Sequence, residues 1–345
     1  MPERIAVGVI GCGFFAQNHL HSWKDLESQG VDLVAVCDVD PAKAKAAAER
    51  FGVPNWYTDA ETMFRERRIG LVDIATRMET HRGLVELAIR HRVATIVQKP
   101  FAPVFADCVA MVNAADAAGV FLAVHENFRF QVPVRKVIEA LRSGAIGEPS
   151  WARISFRTGY DIYKGQPYLM QEGRFAIIDV GVHVLDLARV FLGEAEHVSA
   201  ELQRRNPRVR GEDTATMLIK HRSGAVSVVE VTYESRRLPD SFPETLVEIE
   251  GPLGAIALKA GAVTELTVKG AMAATVVDAP LLAWAERPWH VVQESVLATC
   301  THMLDAVRGG RAADTSAEDN LKTFALAEAA YAAAASGKAV RPQGR

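Results

Sequence analysis

"VGVIGCGFFAQNH", residues 7–19, begins as an apolar run and breaks into glycine before a new amphipathic stretch. This predicts a strand, a tight turn and a helix in quick succession. Gly11 permits the turn, Gly13 lets backbone approach a ligand closely, and Ala16 keeps the helix near the strand. Phe14 and Phe15 complete the turn, and the first N–H groups of the helix then face an anion such as a pyrophosphate. A second apolar strand, Val31–Cys37, delivers Asp38, where a carboxylate reaches ribose hydroxyls. The combination predicts a dinucleotide site. Asp38, with Asp40 close by, would repel a 2′-phosphate, so NAD is expected rather than NADP.

The pattern spreads outward from this turn. Short apolar strands (Leu71–Ala75, Ala94–Val97, Val120–His125) alternate with helices (Pro41–Phe51, Glu79–His91, Ala106–Ala118), the mark of a parallel sheet covered on both faces. Beyond residue 125 the period changes. "WARISFRTGY", "TATMLIKHRSGAVSVVEVTYE" and "TLVEIEGPLGAIALKAG" read as strands joined by turns, hence an antiparallel sheet. Two helices close the chain, and Thr315 and Glu318 of "TSAE" are placed to form a capping box on the second. We therefore expect an α/β protein with a Rossmann domain over 1–125, a doubly wound parallel sheet. An α+β domain over 126–345 follows, with a large, mainly antiparallel open sheet.

Bulk properties narrow the class. The 345 residues suit two domains, with 49% hydrophobic and 23% charged residues and a net charge of −3. No basic stripe suggests nucleic acid, and no apolar run reaches the roughly 20 residues of a membrane span. The opening residues meet glycine too soon for a signal peptide. The four cysteines lack pairing or metal spacing, as in a reduced, cytoplasmic protein.

Two further stretches carry chemistry. In "ATIVQKPF", Lys99 stands at the C-terminal end of a parallel strand, the edge where such sheets bind ligands, and Pro100 keeps it out of the α region. A lysine there suits proton handling or polarisation of an alcohol. In "RFAIIDVGVHVLDLARVFLG", helical spacing puts Asp179, His183 and Asp186 on one side of an apolar segment. A histidine between carboxylates can accept a proton, or be a satisfied core group. No metal is expected, for want of a third soft ligand. The preceding loop is rich in polar and aromatic groups, among them Arg157, Tyr160, Asp161 and Tyr163, which suits either a polyol pocket or an ordinary surface loop.

"GCGFFAQNH", "QKPFA", "HENFRF" and "DVGVHVLD", in this order, resemble the Gfo/Idh/MocA oxidoreductases over nearly the whole chain. The resemblance implies a Rossmann domain that binds NAD(P) and a second domain whose open sheet joins subunits as a homodimer or homotetramer. It implies Lys99, Asp179 and His183 as the catalytic trio, with His183 the general base and Asp186 a further acidic position. It places Asn127 and Arg129 at the start of the second domain, and with Arg157 and Tyr160 these are expected to touch substrate. Thr76, His81 and Gln98 are expected beside the cofactor. Gln98 replaces the usual glutamate, and Thr76–His81 lacks the usual proline pair. The expected reaction is NAD-dependent oxidation of a sugar's anomeric hydroxyl to a lactone, a branched pentose being favoured over an inositol or another polyol. A silent NAD-binding regulator is disfavoured by retention of the trio. The chemistry requires Lys99 and His183 to come within reach of one another.

Overall fold

The computed structural model describes residues 4–344, which divide into two compact units. The first holds the described residues up to Glu126 together with Val296–Leu321; the second holds Asn127–Ser295 and the described residues from Lys322. A continuous domain over 126–345 was expected, but Val296–Leu321 packs with the first unit instead.

The first unit is built on a six-stranded parallel sheet. Its strands are β1 (Ile5–Ile10), β2 (Val31–Cys37), β3 (Trp56–Tyr57), β4 (Leu71–Ile74), β5 (Ala94–Gln98) and β6 (Leu122–His125). The order β3-β2-β1-β4-β5-β6 reverses direction between β1 and β4, which opens a crevice beyond the carboxyl ends of the strands. The intervening helices are α1 (Ala16–Asp25), α2 (Pro41–Phe51), α3 (Ala60–Glu66), α4 (Met78–Arg90) and α5 (Phe105–Ala118). Strand β3 and helix α3 have no counterpart in the sequence reading; two residues are too few to show a period. Asp40 begins α2 by accepting the N–H groups of Ala42 and Lys43, so its charge serves as a cap.

The second unit carries an eight-stranded sheet. After α6 (Val132–Arg142) come β7 (Trp151–Arg157), α7 (Val182–Leu192), β8 (Ala195–Gln203), β9 (Thr214–His221), β10 (Val226–Thr232), β11 (Leu246–Gly251), β12 (Gly254–Lys259), β13 (Val263–Val268) and β14 (Ala271–Val276). The order is β14-β13-β12-β11-β7-β10-β9-β8, antiparallel except where β7 meets β10. Alternation sorts the side chains. Ala152, Ile154, Phe156, Val229, Val231, Met217 and Ile219 are buried beneath α7, while Arg153, Arg157, Glu230, Leu218 and Glu248 lie on the other, open face. The chain ends with α8 (His290–Arg308) and α9 (Ala317–Ser336). Ser316 Oγ accepts the Asp319 N–H at 3.2 Å, and the Thr315 hydroxyl donates to the Val124 carbonyl at 2.8 Å. No described helix is long and apolar enough to cross a membrane.

Candidate functional site

The glycine turn follows β1 at the carboxyl edge of the parallel sheet. Gly11 has φ +99°, and a Cβ there would lie 2.4 Å from the Ala75 carbonyl oxygen, so only glycine fits. Gly13 faces open space: a Cβ on it would meet nothing within 4 Å. Phe14 is 64% exposed and Phe15 half-buried. Helix α1 has no side-chain cap, which leaves its first N–H groups to an outside acceptor. Asp38 is drawn into the same turn, its carboxylate accepting the Cys12 N–H at 2.8 Å and the Asp40 N–H at 2.9 Å. A bare cradle, uncapped N–H groups and a fixed carboxylate fit a dinucleotide. Asp38→Ala is expected to raise the NAD Kd and to shrink the preference for NAD over NADP about tenfold or more, the value of one lost charge-assisted bond of about 1.5–3 kcal/mol. The ratio of kcat/KM with the two cofactors measures it; an unchanged ratio would clear Asp38 of the task.

Thr76 and Lys99 follow β4 and β5 at the same edge, both half-buried, and the Lys99–Pro100 peptide is cis. Two neighbours expected beside the cofactor are turned elsewhere. His81 is fully buried, with Nδ1 3.2 Å from the Phe101 carbonyl oxygen and Nε2 3.2 Å from that of Thr76. It straps the loop before α4 to the turn after Lys99, and burial pushes its pKa down. Gln98 is 7% exposed and points at His19 of α1, with 2.9 Å between Gln98 Nε2 and His19 Nε2.

In the second unit, residues Ile177–Gly181 form a π-turn that runs directly into α7. Such turns carry an extra residue and recur at functional sites. The turn is held from outside: the Glu212 carboxylate accepts the N–H groups of Phe175 and Ile177 at 3.1–3.2 Å, and its carbonyl accepts that of Ala176. The Tyr331 hydroxyl donates to Glu212 at 2.5 Å. Asp179 lies in this turn and accepts a 2.6 Å hydrogen bond from Tyr233, a buried phenol whose pKa is pushed well up by burial and by the carboxylate. His183 is 3% exposed, and its ring stacks on Phe128 with centroids 3.8 Å apart and planes 2° from parallel. Neither Phe128 nor Tyr233 emerged from the sequence reading. Phe128 sits in the quoted "HENFRF", but nothing local marks a ring as a histidine's platform.

Asp186 goes a different way from its two neighbours on the helix. It is fully buried, forms a bidentate pair with Arg129, and accepts from the Thr323 hydroxyl at 2.9 Å. Arg189 Nη1 lies 3.6 Å away. The expected substrate role of Arg129 gives way to this ion pair. Asn127 is likewise buried, donating to Ser295 Oγ at 2.7 Å. Arg157 stands on the open face of the sheet, opposite Phe156 and α7, with Nη1 3.6 Å from Glu230. Strand alternation thus separates it from His183. Tyr160 stacks on Phe242 at 4.0 Å and meets the Trp289 ring edge-on.

Two family models match the chain. Residues 5–126 match "Oxidoreductase family, NAD-binding Rossmann fold", and residues 134–257 match "GFO/IDH/MocA C-terminal domain". D-apiose dehydrogenase of Rhizobium rhizogenes is 47% identical over 332 residues, 96% of each chain. That of Paraburkholderia graminis is 45% identical over 98% of this chain and 90% of its own. A crystal structure of an oxidoreductase from Agrobacterium radiobacter, in complex with NAD+, L-tartaric acid and magnesium, superposes with a TM-score of 0.96, at 46% identity over 98% of both chains.

Proposed function

The chain belongs to the Gfo/Idh/MocA oxidoreductase family, and from that membership we propose that it oxidises the anomeric hydroxyl of D-apiose to the lactone with NAD. The observation that carries this reading is the 47% identity to a D-apiose dehydrogenase across 96% of both chains. Gly11, Gly13, Phe14, Phe15 and Asp38 hold the dinucleotide, with Thr76 at the same strand edge. NAD, when bound, supplies the acceptor for the hydride that leaves the anomeric carbon. His183 takes the hydroxyl proton, its ring oriented by Phe128. Asp179, anchored by Tyr233, stabilises the charge His183 gains. Lys99 offsets negative charge developing on the substrate oxygen.

NADH formation with D-apiose, other aldoses and myo-inositol tests the substrate. We expect kcat/KM for D-apiose to exceed that for myo-inositol by on the order of a hundredfold, because a site built around specific hydroxyls rejects misplaced ones. Turnover of myo-inositol with none of D-apiose would overturn the assignment.

We also propose that copies of the chain associate as a homodimer or homotetramer through the open sheet face. Leu218, Met272 and Val276 are exposed on it, which also carries the Arg153–Glu230 ion pair, a mixture typical of subunit contacts. Leu218→Glu is expected to lower the mass measured by light scattering, and a wild-type monomer would remove the proposal. We place the enzyme in the cytoplasm, whose reducing poise suits four buried cysteines that form no disulfide.

A further inference from the structure

Behind Lys99, four polar groups form a line through the core of the first unit. Asp73 on β4 receives two bonds at one oxygen, from His19 Nδ1 and from Trp23 Nε1, each at 2.7 Å. His19 Nε2 lies 2.9 Å from Gln98 Nε2. Gln98 Oε1 accepts the backbone N–H of Lys99 at 2.6 Å. His19 and Asp73 are wholly buried, so each group must find its partner inside the protein.

Donor and acceptor chemistry then fixes every proton. The Lys99 N–H can only donate, so the Gln98 carbonyl oxygen must face it and the amide nitrogen must face His19. That nitrogen can only donate, so His19 Nε2 must accept. The single ring proton therefore sits on Nδ1 and points at Asp73, which can only accept. The geometry points to Gln98 as a positioning residue that holds His19 as a neutral, Nδ1-protonated imidazole and passes the constraint to the backbone of Lys99.

The surroundings agree with one anion and neutral rings. Burial pushes the Asp73 carboxyl up, but the groups around it, among them the hydrogen-bond donors of His19 and Trp23, hold it below the usual carboxylate range. His125 on β6, whose ring centroid is 4.2 Å from that of His19, is driven down to about 3, chiefly by burial. Cys300 on α8 lies 3.8 Å from His125 Nε2, and burial and Asp73 push its thiol up. Among the described residues, His125 and Cys300 are the ionisable groups that lie against His19 and Asp73.

A glutamate in place of Gln98 would still accept the Lys99 N–H. Its second oxygen, however, would meet the His19 Nε2 lone pair, acceptor against acceptor. Relief requires one additional proton shared between the carboxylate and the ring. That proton is bound at low pH and lost as pH rises, and the wild-type amide has none to lose. The proposal rests on the reading that Lys99 serves the reaction, but the relay is measurable without turnover.

The test begins with 15N NMR of the histidine side chains in the unliganded full-length protein at neutral pH. His19 should show a protonated Nδ1 and an unprotonated Nε2; a protonated Nε2 would overturn the proposal. Thermal midpoints and kcat of Gln98→Glu are then followed over about pH 5–8, where imidazoles titrate. Both should fall with rising pH relative to wild type, and parallel profiles would overturn the proposal. Gln98→Met, which can neither accept from Lys99 nor donate to His19, should lower kcat about ten- to a hundredfold at every pH with little change in KM, the effect of a slightly misplaced group. Unchanged kcat in that variant would also overturn it. Lys99→Ala separates the two readings: unchanged kcat there defeats the role of Lys99 in the reaction and leaves the NMR result standing.

Discussion

His183→Ala should lower kcat about a thousandfold while NADH binds nearly as well as to wild type. General-base catalysis by a placed side chain contributes on the order of 10²–10⁴, and the residues proposed to hold the dinucleotide belong to the first unit whereas His183 belongs to the second. The two measurements are therefore separable. His183 is 3% exposed and lies flat against Phe128, so the substitution also strips a ring from its platform; near-ultraviolet circular dichroism will show whether the aromatic cluster survives. Steady-state turnover with D-apiose and fluorescence titration with NADH check both halves. A kcat near that of wild type would dismiss His183 as the base.

Asp186→Ala should cost about 3–5 kcal/mol of stability, the range for removing one partner of a buried ion pair. Asp186 is fully buried, and the side chains of Arg129 and Arg189 that it serves are 12% and 3% exposed. Without it, two guanidinium groups remain in the core with less countercharge. Arg189 retains Glu194, with bonds of 2.9–3.0 Å, so the greater loss falls on Arg129. Urea unfolding reads the effect, and the variant should show it with or without sugar. If the variant unfolds like wild type but its KM for the sugar rises steeply, Asp186 faces substrate instead.

These two carboxylate stories illustrate what local sequence carries. Asp179 and Asp186 flank His183 at comparable spacing, and periodicity alone gives them one face. Their fates differ because Tyr233 reaches one and Arg129 the other, across 54 and 57 positions of chain. No local period reports such pairings. The glycine turn was legible because Gly11 and Gly13 act within a few residues of themselves. Strands β4 and β5 were legible because burial on both faces leaves an uninterrupted apolar run. Arg157 is a different case. The alternation Arg153–Ile154–Ser155–Phe156–Arg157 already placed it opposite Phe156, and composition of the loop drew attention away from that period. Gln98 was noticed as an exception, but its meaning needed His19, which lies 79 positions earlier.

The return of Val296–Leu321 to the first unit has a consequence for biosynthesis. Val296, Cys300, Met303 and Leu304 share one apolar core with Val7, Val9, Leu20 and Trp23. The half of the protein made first thus stays unfinished until the ribosome has delivered Asn127–Ser295 and the helix after it. A nascent or truncated chain ending near Glu126 would present bare hydrocarbon where α8 belongs and would be prone to self-association or chaperone capture. Anyone transplanting this Rossmann module into a chimera would have to carry the late helix along with it.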